Sequence, residues 1–467
     1  MRMATAASKR ERGTEAQGRM STGGVNRHIY FSEDAPDESE HQSKSRVVKK
    51  KRKRSRVSET LNISTEPQII PSSPNHFGAL RASTCYPHKA KQKRRKSSSN
   101  SCKVELQRQW AHSSRDFSGY EDKLLVVSYN ILGVDNASKH PDLYSRVPSK
   151  FLEWKRRKRL ICQEIRLYDA GLICFQEVDL FDDLAGVLQN DGYDGIFKGR
   201  TGEAVDGCAI FWKHQQFSLV HEESIEFKTF GLRDNVAQLC VLKVNQTEEN
   251  TNLPLKPSTY CSQDRHVLIG NIHVLFNPNR GDVKLGQIRL FLEKAYNLSE
   301  QWGGIPVILG GDLNSLPQSA AYQFLASSQL DVQLHDRRNI SGQMIGRQFI
   351  AKHCRPFIYK WTLEELKLAA GNHGVSTLSH QLNLSSAYAA IQGISGCRDK
   401  FGEPIATTYH SSFMGTVDYI WHTKELAPVR VLETLPIDIL RKTRGLPSKR
   451  WGSDHLALVC ELAFVDG

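Results

Sequence analysis

A two-sheet α/β sandwich behind a disordered basic tail is the fold that the sequence predicts, on three observations. The first 120 residues carry 25 Lys and Arg against 11 Asp and Glu, whereas the remainder carries 38 against 39, so the net charge of +13 resides in the tail. From Leu124 onward, short apolar runs of strand length alternate with segments at helical spacing. The runs are too many for one small sheet, and two stacked sheets with helices on their outer faces bury them most economically.

Residues 1–120 are rich in Ser, Lys, Arg and Glu and show no strand or helix periodicity. They can bury too little apolar surface to offset chain entropy, which predicts disorder. Within them Lys49–Arg56 and Lys89–Lys96 have the composition of nuclear-import signals, with a solvated spacer or an RNA-contacting arm as the plainer alternatives. The expected location is nucleus and cytoplasm. The N-terminus lacks the apolar core of a secretory signal, and Glu11 and Glu15 do not suit a transit peptide. No run of eighteen apolar residues exists, so neither a transmembrane helix nor a membrane partner is expected. The ten cysteines form no Cys-x-x-Cys pair and several sit in apolar runs, which predicts buried, reduced thiols.

In chain order, strands are expected at Leu124–Tyr129, Leu172–Phe175, Gly207–Trp212, Ala237–Val244, His266–Val274, Ile305–Leu309, Asp418–His422 and Leu456–Leu462. Phe151–Tyr168, Phe181–Leu188, Leu285–Gln301 and Ala320–Ser327 read as helices. The catalytic domain is therefore placed at 121–467. Residues 334–406 are assigned to a divergent insertion, in which Trp361–Ala370 is helical and Gly371 stops it.

The polar tips of these strands define the chemistry. Phosphodiester hydrolysis needs a hard cation, a group to orient water and donors for the developing charge. Glu177, after Phe175-Gln176, is a fitting Mg²⁺ ligand, because that ion takes oxygen donors and keeps several waters. Asp312 and Asn314 flank Leu313; if the strand runs through them they share one face and Leu313 enters the core, the alternative being a turn. Asp418 lies among Val417, Tyr419 and Ile420, where an unpartnered carboxylate is costly, and His455 is its expected partner. His273 ends an apolar strand and is a weaker candidate. No Gly-x-Ser-x-Gly elbow, phosphate-binding P-loop or zinc cluster is present.

Taken together, Ser128-Tyr129-Asn130, Gln176-Glu177-Val178, Asp206–Phe211, Asn277-Pro278, Gly281–Leu285, Asp312–Pro317, Val417–Ile420 and Ser453-Asp454-His455 resemble the endonuclease/exonuclease/phosphatase (DNase I-like) superfamily. The similarity is greatest to the carbon catabolite repressor 4-type poly(A) nucleases, including the Angel and nocturnin branches. The resemblance implies a DNase I-like sandwich with its site at one edge. It makes Glu177 the principal Mg²⁺ ligand, with Mn²⁺ as an alternative ion, and Asn130 a holder of metal or phosphate. Asp312 would orient water with Asn314 beside the phosphate; His455, paired with Asp418, would stabilise the transition state, and Asp454 and His273 would complete the shell. Pro278 and Phe413 match the positions that line an adenine pocket.

The implied activity is Mg²⁺-dependent 3′-to-5′ removal of mRNA poly(A), releasing AMP. A 2′,3′-cyclic phosphatase of the Angel type, a nucleotide phosphatase of the nocturnin type and a silent RNA-binding module are the alternatives. Phe276–Leu285 and Gly445–Ser448 are most like the Angel branch. No leucine-rich repeat precedes the domain, so association with a deadenylase complex would lack that docking element.

Overall fold

Alternation along the central strands sorts side chains between the two faces of each sheet. Val126 and Cys174 point into the space between the sheets, and Val127 and Phe175 point away from it. The computed structural model describes residues 108–120, 122–245, 264–343, 360–372 and 375–465. Expectations for residues 1–107, including both basic clusters, lie outside the described residues.

The strands in the first half of the chain are β1 (Trp110–His112), β2 (Lys123–Asn130), β3 (Leu172–Gln176), β4 (Tyr193–Gly199), β5 (Gly207–Lys213), β6 (Phe217–Glu226), β7 (Val236–Val244) and β8 (His266–His273). Those that follow are β9 (Val307–Asp312), β10 (Gln329–Asp331), β11 (Thr377–Ser379), β12 (Ser385–Ser386), β13 (Thr408–His410), β14 (Phe413–Gly415), β15 (Asp418–His422), β16 (Leu426–Leu432) and β17 (Leu458–Phe464). One sheet has the order β1-β16-β17-β2-β3-β5-β4, the other β12-β15-β9-β8-β7-β6. Each contains one parallel pair, β2 with β3 and β8 with β9, among antiparallel neighbours.

The sandwich interior is built from Val126, Leu172, Ile210, Ile269, Ile308 and Ile420 with their neighbours. Helices Trp154–Tyr168 and Phe181–Asn190 cover the outer face of the first sheet, and Gly281–Gln301 and Ala320–Ser327 that of the second. Towards one end the filling becomes polar: Gln176 Nε2 donates to Asn271 Oδ1 at 2.8 Å, and Asn271 Nδ2 donates to the Phe175 and Ala209 carbonyls. Gly310 allows this close approach, since a Cβ there would stand 3.3 Å from Ser128 Oγ. The two sheets are therefore stitched by buried hydrogen bonds next to the edge where the polar strand tips gather.

Three boundaries depart from the sequence expectation. Residues 108–120 are not part of a disordered tail: β1 pairs with β16, and Arg108 donates to the Leu432, Glu433 and Ala457 carbonyls. A three-residue strand is too short to show periodicity, and its order comes from partners more than 300 residues away. The 334–406 stretch is no separate insertion where it is described. β12 edges the second sheet, and buried Tyr388 donates to the Leu432 carbonyl at 2.8 Å while accepting the Val459 N–H at 3.0 Å. Helix Leu363–Ala370 forms as expected, with a Thr362/Glu365 capping box and Gly371 in the left-handed region. Finally, β9 stops at Asp312, and Asn314 has φ +45°, so the strand does not run through both. The edge strands β4 and β6 escaped the sequence reading because they carry charged side chains in place of apolar runs, and β16 because Pro428 and Arg430 interrupt its apolar run.

Cys162, Cys174, Cys208, Cys240, Cys397 and Cys460 are free and buried, as expected, and the other four lie outside the described residues. Among the described residues no helix is long and apolar enough to cross a membrane.

Candidate active site

Both parallel strand pairs end at the same edge of the sandwich, and this places the site. Asn130 ends β2, Glu177 follows β3, His273 ends β8 and Asp312 ends β9. Asp418 begins β15 directly opposite Asp312 in the antiparallel register, and His455 precedes β17 beside β2. Topology alone converts six sequence-distant tips into one cluster.

Asn130 is the hinge of that cluster. Its Nδ2 donates to Glu177 Oε1 at 3.0 Å and to Asp312 Oδ2 at 3.1 Å, while its Oδ1 accepts the Leu132 N–H. Glu177 has φ +56°, a conformation rare for a residue with a side chain. Its Oε2 accepts from the Gly133 N–H at 3.1 Å and from Asn136 Nδ2 at 2.9 Å. Burial alone would raise this carboxyl, but His273, the Asn130 and Asn136 donors and His455 outweigh it and hold the pKa at about 2. The loop after β2 is pinned from behind by fully buried Arg157, which donates to the Ile131 and Leu132 carbonyls at 2.8 Å each.

Asp312 has a different environment. Its Oδ1 accepts the Asn314 N–H at 2.8 Å, and Oδ2 lies 3.7 Å from His273 Nε2 and 3.9 Å from His455 Nε2. Burial and the neighbouring Asp418 charge push its pKa up to about 7, against the pull of His455. His455 Nδ1 stands 2.8 Å from Asp418 Oδ2; burial opposes its charge, but Asp418, Asp454 and Asp312 together raise its pKa well above the ordinary value. His273 goes the other way, to about 4, chiefly through burial. Asn314 Nδ2 lies 3.2 Å from His273 Nε2 and donates to the Val274 carbonyl at 2.9 Å, so the turn reaches the site despite leaving the strand.

Asp454 sits beside this group with its carboxylate taken up by Tyr144 Oη at 2.9 Å and Ser453 Oγ at 3.3 Å. Phe413, half-buried, begins β14, and its ring lies 6.0 Å from that of His410. That hairpin is tied to the site because Thr408 Oγ1 and the Tyr409 N–H both donate to the Asp454 carbonyl at 3.0 Å. Pro278 lies in the loop between β8 and helix Gly281–Gln301. Buried Lys284 anchors the start of that loop by donating to the Leu275, Phe276 and Asn314 carbonyls. Asn136, Tyr144, Arg157 and Lys284 were not read from the sequence, and no local pattern marks them.

Asp312, Asp418 and His455 offer ligand atoms all within 4.8 Å of one another, a set able to hold a metal ion. Glu177 and Asn130 extend it with the hard oxygen donors that suit a divalent cation. A model of the Endonuclease/Exonuclease/phosphatase family matches residues 127–455, from β2 to the site histidine. The chain belongs to this family. Its closer similarity is to carbon catabolite repressor protein 4 homologs of Arabidopsis thaliana. Homolog 5 is 55% identical over 81% of this chain and 85% of its own length, and homolog 3 is 46% identical over 77% and 80%. Among solved structures, ANGEL2, a 2′,3′-cyclic phosphatase seen in complex with adenosine-2′,3′-vanadate, superposes with a TM-score of 0.62. The two are 28% identical, over 77% of this chain and 99% of that one. The DNase I-like sandwich follows from the same match. Family membership makes the site that of a hydrolase acting on phosphodiesters or phosphate monoesters.

Proposed function

We propose that the protein is a Mg²⁺-dependent 3′-to-5′ exoribonuclease that shortens poly(A) and releases AMP. The observation that carries this reading is the Asn130 amide bridging Glu177 and Asp312, opposite a histidine charged by Asp418. It separates two carboxylates into two tasks. Glu177, held ionised, is suited to a cation; Asp312, shifted towards neutrality, is suited to orienting a water and taking its proton. Glu177 and Asn130 would hold Mg²⁺, which supplies charge for the phosphate oxygens. His455 donates to the phosphate as charge builds there, and Asp418 keeps it oriented and protonated. Asp454 completes the polar wall through Tyr144, and Asn314 and His273 face the same space.

Adenine as the preferred base is supported by Phe413 on the hairpin tied to Asp454 and by Pro278 on the loop anchored to Asn314. An aromatic face and a proline ring are what a stacked base needs. The 55% identity to a carbon catabolite repressor protein 4 homolog supports the coarser reading, a nuclease or phosphatase of this family. The structural likeness to ANGEL2 favours a second reading, removal of a terminal 2′,3′-cyclic phosphate from RNA, since the same site would serve that ester.

One assay separates the two. The purified chain with Mg²⁺ is offered 5′-labelled A-tailed RNA, an untailed control and an oligonucleotide ending in a 2′,3′-cyclic phosphate. A ladder confined to the A-tail supports the exonuclease; loss of the cyclic phosphate alone, with the tail intact, overturns it.

A further inference from the structure

A loop tied to the site carries a guanidinium that the fold leaves short of partners. Arg200 follows β4, and its backbone N–H donates to the Asp206 carbonyl at 2.9 Å, closing the loop between them. At the far end of that loop Gly207 exchanges both backbone hydrogen bonds with Val178, the residue after Glu177, at 2.9 and 3.0 Å. On the other side, the Thr201 N–H donates to the Asp234 carbonyl at 3.0 Å, and Asn235 Nδ2 donates to the His273 carbonyl at 3.1 Å. The Arg200 loop is thus tied to the backbone that presents Glu177 and to that which presents His273. Its charge is felt at His273, whose protonation it opposes.

Within the loop Arg200 is poorly compensated. Nη1 lies 3.5 Å from Asp206 Oδ1, at the outer limit of a hydrogen bond, while Nε and Asp206 Oδ2 are buried with no hydrogen-bond partner. Two arginines elsewhere in this protein close at short range on a carboxylate, although Arg398 also keeps a buried Nη2 without a hydrogen-bond partner. Arg398 Nε stands 2.6 Å from Glu433, and Arg430 grips both oxygens of Glu461 at 2.9 and 3.2 Å. A planar fork that could bind Asp206 in the same way, but does not, has donors left for something else. The walls of the site are mostly carboxylates: Glu177, Asp312, Asp418 and Asp454. Arg200, with 16% of its side chain exposed, adds a positive charge close enough to act on His273, beside the cation that Glu177 would hold and the charged His455.

We propose that Arg200 is a substrate-binding residue whose guanidinium takes a non-bridging oxygen of a substrate phosphate beside Glu177 and His273. The proposal rests on reading the site as one for phosphate esters, but not on poly(A) being the substrate. A nucleoside monophosphate carries the required group, so AMP is the binding probe and A-tailed RNA the turnover probe.

The experiment compares wild type, Arg200→Met and Arg200→Lys in Mg²⁺ by calorimetric AMP titration, steady-state kinetics and thermal midpoint. Loss of a charge-assisted contact should weaken AMP binding about tenfold or more in Arg200→Met, with partial recovery in Arg200→Lys. KM for RNA should rise alongside, while kcat and the thermal midpoint stay close to wild type. The slope of log KM against log salt should fall by about 0.7, the value for one phosphate contact on a single strand. Arg200→Gln, which keeps a donor towards Asp206, supplies the same comparison should the Met variant fold poorly. Equal AMP affinity in wild type and the folded neutral variants, or no AMP binding by wild type, overturns the proposal. A wild type that binds AMP yet leaves A-tails intact overturns only the poly(A) reading.

Discussion

His455 Nδ1 stands 2.8 Å from Asp418 Oδ2, and the other ring nitrogen faces Asp312 Oδ2 at 3.9 Å. One imidazole thereby links the second sheet's carboxylate pair to the first sheet's edge. The arrangement fixes which nitrogen is left for substrate, because Asp418 has claimed the other.

Asp418→Asn should lower kcat by about 10²–10⁴-fold at pH 7–8. With the charge gone, the raised pKa of His455 falls and the protonated form is lost at neutral pH. The sign follows from the pair: a raised histidine pKa means that its contribution is present at low pH and lost as pH rises through the folded value. The deficit should therefore shrink as the assay pH is lowered towards 6. A pH-independent deficit would show that Asp418 acts on folding or metal instead.

Glu177→Ala should abolish turnover and leave the circular dichroism spectrum unchanged, since the carboxylate is held by Gly133 and Asn136 at the edge of the sheet and outside the apolar core. Wild-type kcat in this variant would sink the metal assignment. Chelation of the wild type and re-addition of Mg²⁺ should reproduce the loss and recovery.

Asp312→Asn should remove activity and stabilise the fold at pH 8. A carboxyl raised from 3.8 to about 7 on folding costs stability at every pH above its unfolded value, and the cost grows until pH passes about 7. The amide escapes that cost, so the thermal midpoint should rise at pH 8, by roughly 2–4 °C per kcal/mol regained, and not at pH 4. An unchanged midpoint at both pH values would contradict the shift.

Phe413→Ala should lower kcat/KM for A-tailed RNA by about 5–150-fold, the range of one base stacked on an aromatic ring, while hydrolysis of a base-free phosphodiester is unaffected. Equal effects on both substrates would remove the argument for adenine.

Much of the site was legible because metal-assisted phosphate chemistry draws on few residue types, and these stood at the ends of apolar runs. Asn130, Glu177, His273, Asp312, Asn314, Asp418 and His455 converge in space. Asn136 and Tyr144 were invisible because they act through loops: Asn136 by reaching Glu177, Tyr144 by reaching Asp454 across 310 residues. Asp312 and Asn314 come together by the turn that the sequence reading held as the alternative to a continued strand, since the backbone turns at Asn314.

By itself the sequence determined the central strands and the main helices, the chemical inventory of the site and the family, because these depend on local periodicity and residue type. The tertiary structure alone decided that β1 belongs to the domain, that the 334–406 stretch supplies Tyr388 to the core, and that Asn130 bridges Glu177 and Asp312. Those outcomes depend on sheet register and on backbone dihedrals at single residues such as Glu177 and Asn314. Both are set by packing between segments hundreds of residues apart.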